Sequence, residues 1–550
     1  MTFPKDRLPH LHDKNAKTAE MVDDNGYGSE IVKHFELITL QDEEGHSKSS
    51  SNTEKRKIPE EVATAPLFSL PAKAALLREY SPTDDGNPVY PQYGLLGHRN
   101  EMPDGPISSD SLVYTNTAAP WSAFICGSQG SGKSHSLSCL LENCLMKDSP
   151  AGKLTAPLAG MIFHYDKFTA FSNTQLCEAA YLCSAGIPVR VLVSPTNYMA
   201  MKNAYSQLPG LGNVASKLKV EPMYLPLKGL NIAMMKTLMG IDDQATQPLY
   251  MEKLEKVVMK ILRDMAIANQ GRESFDYKRF RTQLDAETFL KGQQVPLHMR
   301  LDVLESFFEP GVIPQGDGKP CKPSRTDQIW NFKPGTLTIV DLSCPFVGPE
   351  DACALFNICT SLFLRDRHQA GRVLAFDEAH KFLSATSSEA VNLTETLLSI
   401  VRQQRHLRTR VLIATQEPTI SPTLLDLCNL TIIHRFTSPA WFKSIKAHIA
   451  GAHNAAEDRE TSEQDLFRQI VRLKTGEALV FCPTALLATS KSSRVNDHYD
   501  SYDDDDDEAG TNGVSDDHGE CKATQLGTGH VRLRVRKRVT ADGGRSITAQ

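Results

Sequence analysis

Residues 122–134 read SAFICGSQGSGKS, a short apolar run that ends in glycine and turns through a glycine-rich stretch into Lys133 and Ser134. The run 122–127 suits a buried strand, and SHSLSCLLENCLMK (134–147) places apolar residues at helical spacing. Between them GSQGSGKS satisfies G-x-x-x-x-G-K-[ST] in the strand–turn–helix setting that gives the pattern physical meaning. Glycines let backbone N–H groups turn inward around phosphate oxygens, and the start of the following helix adds partial positive charge. Gly127, Ser128, Gln129, Gly130, Ser131, Gly132, Lys133 and Ser134 are therefore expected to cradle the phosphates of a bound nucleotide. Lys133 would reach the β- and γ-phosphates, and the Ser134 hydroxyl would ligate Mg²⁺.

A P-loop alone does not imply hydrolysis. The second element is VLAFDEAH (373–380), an apolar strand that ends in two acids. Asp377 is expected to hold Mg²⁺ through its water shell, complementing Ser134. Glu378 points elsewhere, because successive side chains diverge at a strand end, and is placed to polarise an attacking water. The plainer reading is a pair of acids opening a helix. The third element is RVLIATQ (410–416), whose Gln416 is expected to hydrogen-bond the γ-phosphate or the attacking water; a structural loop glutamine is the competing reading. A strand carrying this residue suits the ATPase branch in which an extra strand separates the P-loop from the Asp–Glu strand. No NKxD motif occurs, which favours ATP over GTP.

Further strand-like runs are GMIFHYD (160–166), VRVLVSP (189–195), LTIVDLS (337–343), TIIHRF (431–436) and GEALVFCP (476–483), with helical patterns at 351–367 and 388–407. Apolar strands alternating with helices predict an α/β fold, a RecA-like P-loop core with a mainly parallel sheet covered on both faces. Residues 115–490 form the expected ATPase domain, with a helical insertion over about 240–335. Residues 1–65 and 491–550 are polar and charge-rich, and both ends are expected to be disordered, with 66–114 an N-terminal extension. The acidic run Asp503–Asp507 reads as a solubilising spacer, and VRLRVRKR (531–538) as a solvated basic segment, with nucleic-acid binding or nuclear import as other readings. His135 and NIAMMKTLM (231–239) read as packing.

The 550 residues are 40% hydrophobic and 23% charged, ordinary for a globular protein, and the formal net charge of −6 gives no overall attraction to nucleic acid. Twelve cysteines lie scattered without CxxC pairs, as buried thiols in a reducing compartment would. No apolar run approaches the ~20 residues a membrane span requires. An intracellular protein, nuclear or cytoplasmic, without membrane association is expected.

Taken in order, AFICGSQGSGKS, GTLTIVDLSC, VLAFDEAHKFL, VRQQRHLRTRVLIATQEPTISPTLLDLCNLTIIHRF and LKTGEALVFCP resemble the HerA/FtsK superfamily of ring-forming, DNA-pumping ATPases, nearest its HerA-like branch. The resemblance covers roughly 115–485. It implies hexamers with ATP sites at subunit interfaces, double-stranded DNA in a central channel and a protein partner such as a nuclease. It also implies an arginine supplied by the neighbouring subunit, for which Arg402, Arg405 and Arg435 are candidates, none singled out. The family's N-terminal β-barrel has no clear counterpart in 1–110, where regular alternating strands are few. The expectation is an ATP-hydrolysing ring motor; the alternative is a nucleotide-controlled assembly module acting on protein partners.

Overall fold

The computed structural model describes residues 58–80, 89–100, 107–167, 175–211, 217–227, 234–235, 249–268, 270, 276–288, 291–310, 326–365, 371–383, 387–418, 420–449, 459–489 and 522–541. The chain divides into two compact units. One is Met1–Ile58 with Leu77–Asn87, of which Ile58 and Leu77–Tyr80 are described. The other, Pro59–Leu76 with Pro88–Gln550, holds the sheet and the candidate site.

In chain order the strands are β1 (Leu67–Ser69), β2 (Tyr93–Arg99), β3 (Leu112–Asn116), β4 (Ser122–Cys126), β5 (Gly152–Lys153), β6 (Ala159–His164), β7 (Val189–Val193) and β8 (Leu218–Pro222). After them come β9 (Leu337–Asp341), β10 (Arg372–Phe376), β11 (Thr409–Thr415), β12 (Leu430–His434), β13 (Glu477–Phe481), β14 (Leu486–Thr489), β15 (Lys522–Gln525) and β16 (Val531–Val535). Among the described residues they form one sheet in the order β15-β14-β1-β3-β2-β16-β13-β12-β4-β11-β10-β6-β9-β7-β8, with β5 beside β2.

From β12 to β8 every pairing is parallel. This is the doubly covered sheet that continuous apolar strands demand, since both faces of each strand must be buried. In β4, Phe124 and Cys126 join Phe163, Phe376 and the helices Pro349–Arg365 and Ser388–Arg402 on one face. Ala123 and Ile125 join Leu137, Leu140 and Leu141 of the helix Lys133–Leu145 on the other. Burying each large apolar side chain contributes roughly 1.5–3 kcal/mol. Between β8 and β9 the described residues form the helices Leu249–Ala268, Tyr277–Asp285 and Lys291–Ser306.

Beyond β12 the sheet turns antiparallel except for the parallel β1–β14 pair, and here the chain ends depart from expectation. The expected extension 66–114 contributes β1, β2 and most of β3. The segment expected to be a disordered tail over 491–550 returns at 522–541: β15 pairs with β14, and β16 is inserted between β13 and β2. Residues 531–535 of the basic run VRLRVRKR are thus a sheet strand rather than a solvated segment. Its alternation explains why: Leu533 and Val535 are buried while Arg534 is exposed, the period of two that a half-buried strand requires. The expectation for residues 1–57 and for the acidic run Asp503–Asp507 lies outside the described residues. No described helix is long and apolar enough to cross a membrane.

Candidate nucleotide-binding and hydrolytic site

Strand register sets the site. Cys126, the last residue of β4, pairs with Thr415 of β11 on one side and Ile433 of β12 on the other. The loop Gly127–Gly132 therefore leaves the sheet between Gln416 and His434. It is shaped by its own side chains: the Ser131 hydroxyl donates to the Ser128 carbonyl at 2.7 Å, and Lys133 Nζ donates to that carbonyl at 3.1 Å. From outside, the Arg435 carbonyl accepts Ser128 N–H at 2.9 Å and Ser128 O–H at 2.8 Å, and Gly476 N–H donates to the Ser131 carbonyl at 3.2 Å. Gly132, at φ 114°, caps the helix Lys133–Leu145 in the left-handed region that glycine enters without penalty. Burial lowers the Lys133 ammonium from its ordinary value, while Glu378 and Asp377 draw it back toward the charged form.

β10 lies across β11 from β4, and Asp377 and Glu378 follow its last residue. Both are buried, 5% and 4% exposed. Asp377 is anchored by its N–H to the Phe163 carbonyl at 3.0 Å, and its Oδ1 accepts Glu378 N–H at 3.1 Å. Glu378 has φ 51°, a left-handed conformation that costs a non-glycine residue about 1–2 kcal/mol. Its Oε1 accepts from Gln416 Nε2 at 3.0 Å, whereas Oε2 is buried with no hydrogen-bond partner, 3.5 Å from His380 Nδ1. Gln416 N–H faces that same Nδ1 at 3.4 Å, and burial lowers the His380 pKa, so Nδ1 serves as the acceptor. One carboxylate oxygen is thus fixed by an amide and the other left open, as a group that orients a nucleophilic water requires.

Behind Asp377 sits a second buried layer. His164, which ends β6, donates Nε2–H to the Gln175 carbonyl at 2.8 Å and holds Nδ1 3.7 Å from Asp377 Oδ2. Burial works against its charge, but Asp341 and Asp377 outweigh that and raise it to about 9. Cys177 completes the layer, its thiol pushed well up by burial and by Asp377.

The fold is that of a P-loop NTPase. The separating strand β11 supplies Gln416, as the motifs imply. No protein-family model and no curated protein matches the sequence. Among solved structures the NTPase fold is similar to VirB4 of Thermoanaerobacter pseudethanolicus, at 13% identity and TM-score 0.41 over 71% of this chain and 94% of that one. It is also similar to the genome packaging NTPase B204 of Sulfolobus turreted icosahedral virus 2. The AMP complex of that protein matches at 15% identity and TM-score 0.20 over 29% of this chain and 67% of that one. Its ATP-γS complex matches at 14% identity and TM-score 0.20 over the same shares.

The NTPase core brings the loop, Asp377, Glu378 and Gln416 to one edge, and it separates the candidate arginines. Arg435 lies on that edge, with its carbonyl on Ser128 and its side chain exposed. Arg402 ends the helix Ser388–Arg402 and Arg405 lies in the turn Gln404–Leu407; both precede β11 and so lie at its opposite end. Arg405 forms an exposed ion pair with Glu60. His135, read as packing, lies 2.8 Å from the Arg536 carbonyl through Nε2. Sequence reasoning passed over His434 and Gly476, both of which touch the loop. His434 stands directly before a named arginine in TIIHRF, and a polar residue closing an apolar strand was the available signal.

Proposed function

We propose that this chain binds and hydrolyses ATP as a ring-type motor resembling HerA-like DNA translocases. The observation that carries hydrolysis is the Glu378 carboxylate at the loop edge, tied through Oε1 to Gln416 with Oε2 unpaired. Glu378 accepts the proton of the attacking water, while Gln416 holds the carboxylate in place and senses the γ-phosphate. The loop N–H groups and Lys133 bind the β- and γ-phosphates and stabilise charge developing on the transferred group. Ser134 and Asp377 offer hard oxygen donors, a set that suits Mg²⁺, which supplies electrostatic stabilisation of the phosphates when bound.

The test is Glu378→Gln. Turnover is expected to fall about 10²–10⁴-fold, the usual contribution of general-base catalysis, with ATP affinity retained. Unchanged turnover would defeat the assignment.

The motif resemblance supports a hexamer acting on double-stranded DNA, with an arginine from a neighbour completing each site. It equally allows a nuclease or other protein partner, in a nuclear or cytoplasmic setting. Stimulation of ATP turnover by duplex DNA is the expected result for a translocase. Turnover indifferent to DNA of any length or end structure would favour a nucleotide-controlled assembly module instead.

A further inference from the structure

His434 closes β12 and is fully buried, 0% exposed. Its Nδ1 lies 2.9 Å from the Glu477 carbonyl oxygen, and its Nε2 lies 2.9 Å from the Ser136 hydroxyl in the helix that follows the loop. A carbonyl can only accept, so Nδ1 carries the hydrogen. Nε2 is then a lone pair and takes the Ser136 proton. Burial keeps the ring neutral, and of its two neutral tautomers only this one satisfies both partners.

The same residue forms the wall behind the loop. A methyl group added at Gly127 would lie 2.6 Å from His434 Cβ, and one at Gly132 would lie 3.4 Å from Cε1. The next residue, Arg435, gives its carbonyl to Ser128. The far side of the ring is equally fixed. Glu477 takes Lys474 N–H and Arg532 Nη2 on Oε2, each at 2.8 Å, and Asn100 on Oε1 at 2.7 Å. An apolar residue of similar size would fill the space but strand the Ser136 hydroxyl and the Glu477 carbonyl.

We propose that His434 is a positioning residue for the phosphate loop: oriented by the Glu477 carbonyl, it fixes Ser136 and the backbone at Gly127 and Gly132 in the geometry that receives a polyphosphate. This rests on the nucleotide reading of the loop and adds the side chain that sets its shape. The ring touches no reacting atom, so its effect belongs in nucleotide affinity rather than in the chemical step.

Titration of the full chain with Mg²⁺ and ATP-γS, alongside steady-state ATP turnover, tests this. Ser136→Ala removes one hydroxyl and leaves the packing intact; it is expected to weaken affinity about three- to tenfold, the range one lost hydrogen bond allows. His434→Ala should weaken it at least as much, and the double variant no further than His434→Ala alone, because both delete one coupled contact. His434→Gln, whose amide oxygen can reach the Nε2 position, should recover part of the loss. In all four, kcat at saturating ATP should stay within about threefold of wild type, since transition-state contacts are untouched. Wild-type affinity in Ser136→Ala, or losses that simply add in the double variant, would overturn the inference. So would a kcat that falls while affinity holds. Failure of the unaltered chain to bind ATP-γS would defeat the nucleotide reading itself, and this inference with it.

Discussion

A methyl group placed at Gly127 and one placed at Gly130 meet different surroundings, although both glycines have positive φ, 154° and 71°. The first runs into His434 Cβ and Ser131 Oγ, at 2.6 and 2.8 Å, while the second finds nothing within 4 Å. Gly127→Ala is therefore expected to abolish nucleotide binding. Gly130→Ala should cost only about 1 kcal/mol of backbone strain and change affinity by a few-fold; one titration series compares them. His434 adds a pH prediction. Burial, with Lys133 and His135 nearby, pushes its pKa down to about 4. The ordinary value is about 6.5, so between pH 6.5 and 4 the unfolded chain binds a proton that the folded chain refuses. Stability from this group is therefore complete above about pH 6.5 and is lost as the pH falls toward 4, on the order of 3 kcal/mol in all. Carboxylates contribute in the same range. The check is that the urea midpoint falls further between pH 7 and pH 4.5 in the wild type than in His434→Gln.

At the scale of elements, the helix Lys133–Leu145 is held on its outer side by the segment after β16. Arg536 donates to Glu142 Oε2 at 2.7 Å, with the two side chains 7% and 0% exposed. The N–H groups of Val539 and Thr540, and the Thr540 hydroxyl, also bind that carboxylate. Burial opposes ionisation of Glu142, but these donors prevail and hold its carboxyl below the usual range. Arg536→Met leaves a buried carboxylate without its counter-ion and should destabilise by about 3–5 kcal/mol in urea unfolding; the double change Glu142→Leu with Arg536→Leu should recover much of that. None of this was legible in SHSLSCLLENCLMK, where Glu142 reads as an outward-facing helical acid. The parallel core was legible, because strands buried on both faces must be apolar along their whole length and announce themselves. Of the candidate site, Asp377, Glu378 and Gln416 stood out because they close such runs. Beyond β13 the antiparallel part was hidden, since β1 is three residues long and β16 alternates arginine with apolar residues inside a charged stretch. Its burial depends on partners far away in sequence, which local pattern does not carry.

At the scale of the whole molecule, the site lies at one edge of a sheet whose candidate arginines occupy both ends of its strands. A motor of the proposed kind requires each site to be completed by a neighbour, so particle mass should rise to that of a hexamer with ATP and Mg²⁺. A strict monomer with full turnover would exclude shared sites. The placement of β16 carries a further consequence, concerning synthesis. Leu533 pairs with Arg99, and Arg536 donates to the Leu95 carbonyl, 441 residues earlier. At roughly 5–20 residues per second, a ribosome needs on the order of 20–90 s to deliver the second partner after the first. Throughout that interval Gly97–Arg99 of β2 wait without their neighbour, an open template for pairing with other nascent chains. A chaperone that shields this edge should raise the soluble yield. Polypeptides released before residue 531 should accumulate as insoluble material, so that the architecture itself screens for translation past β16.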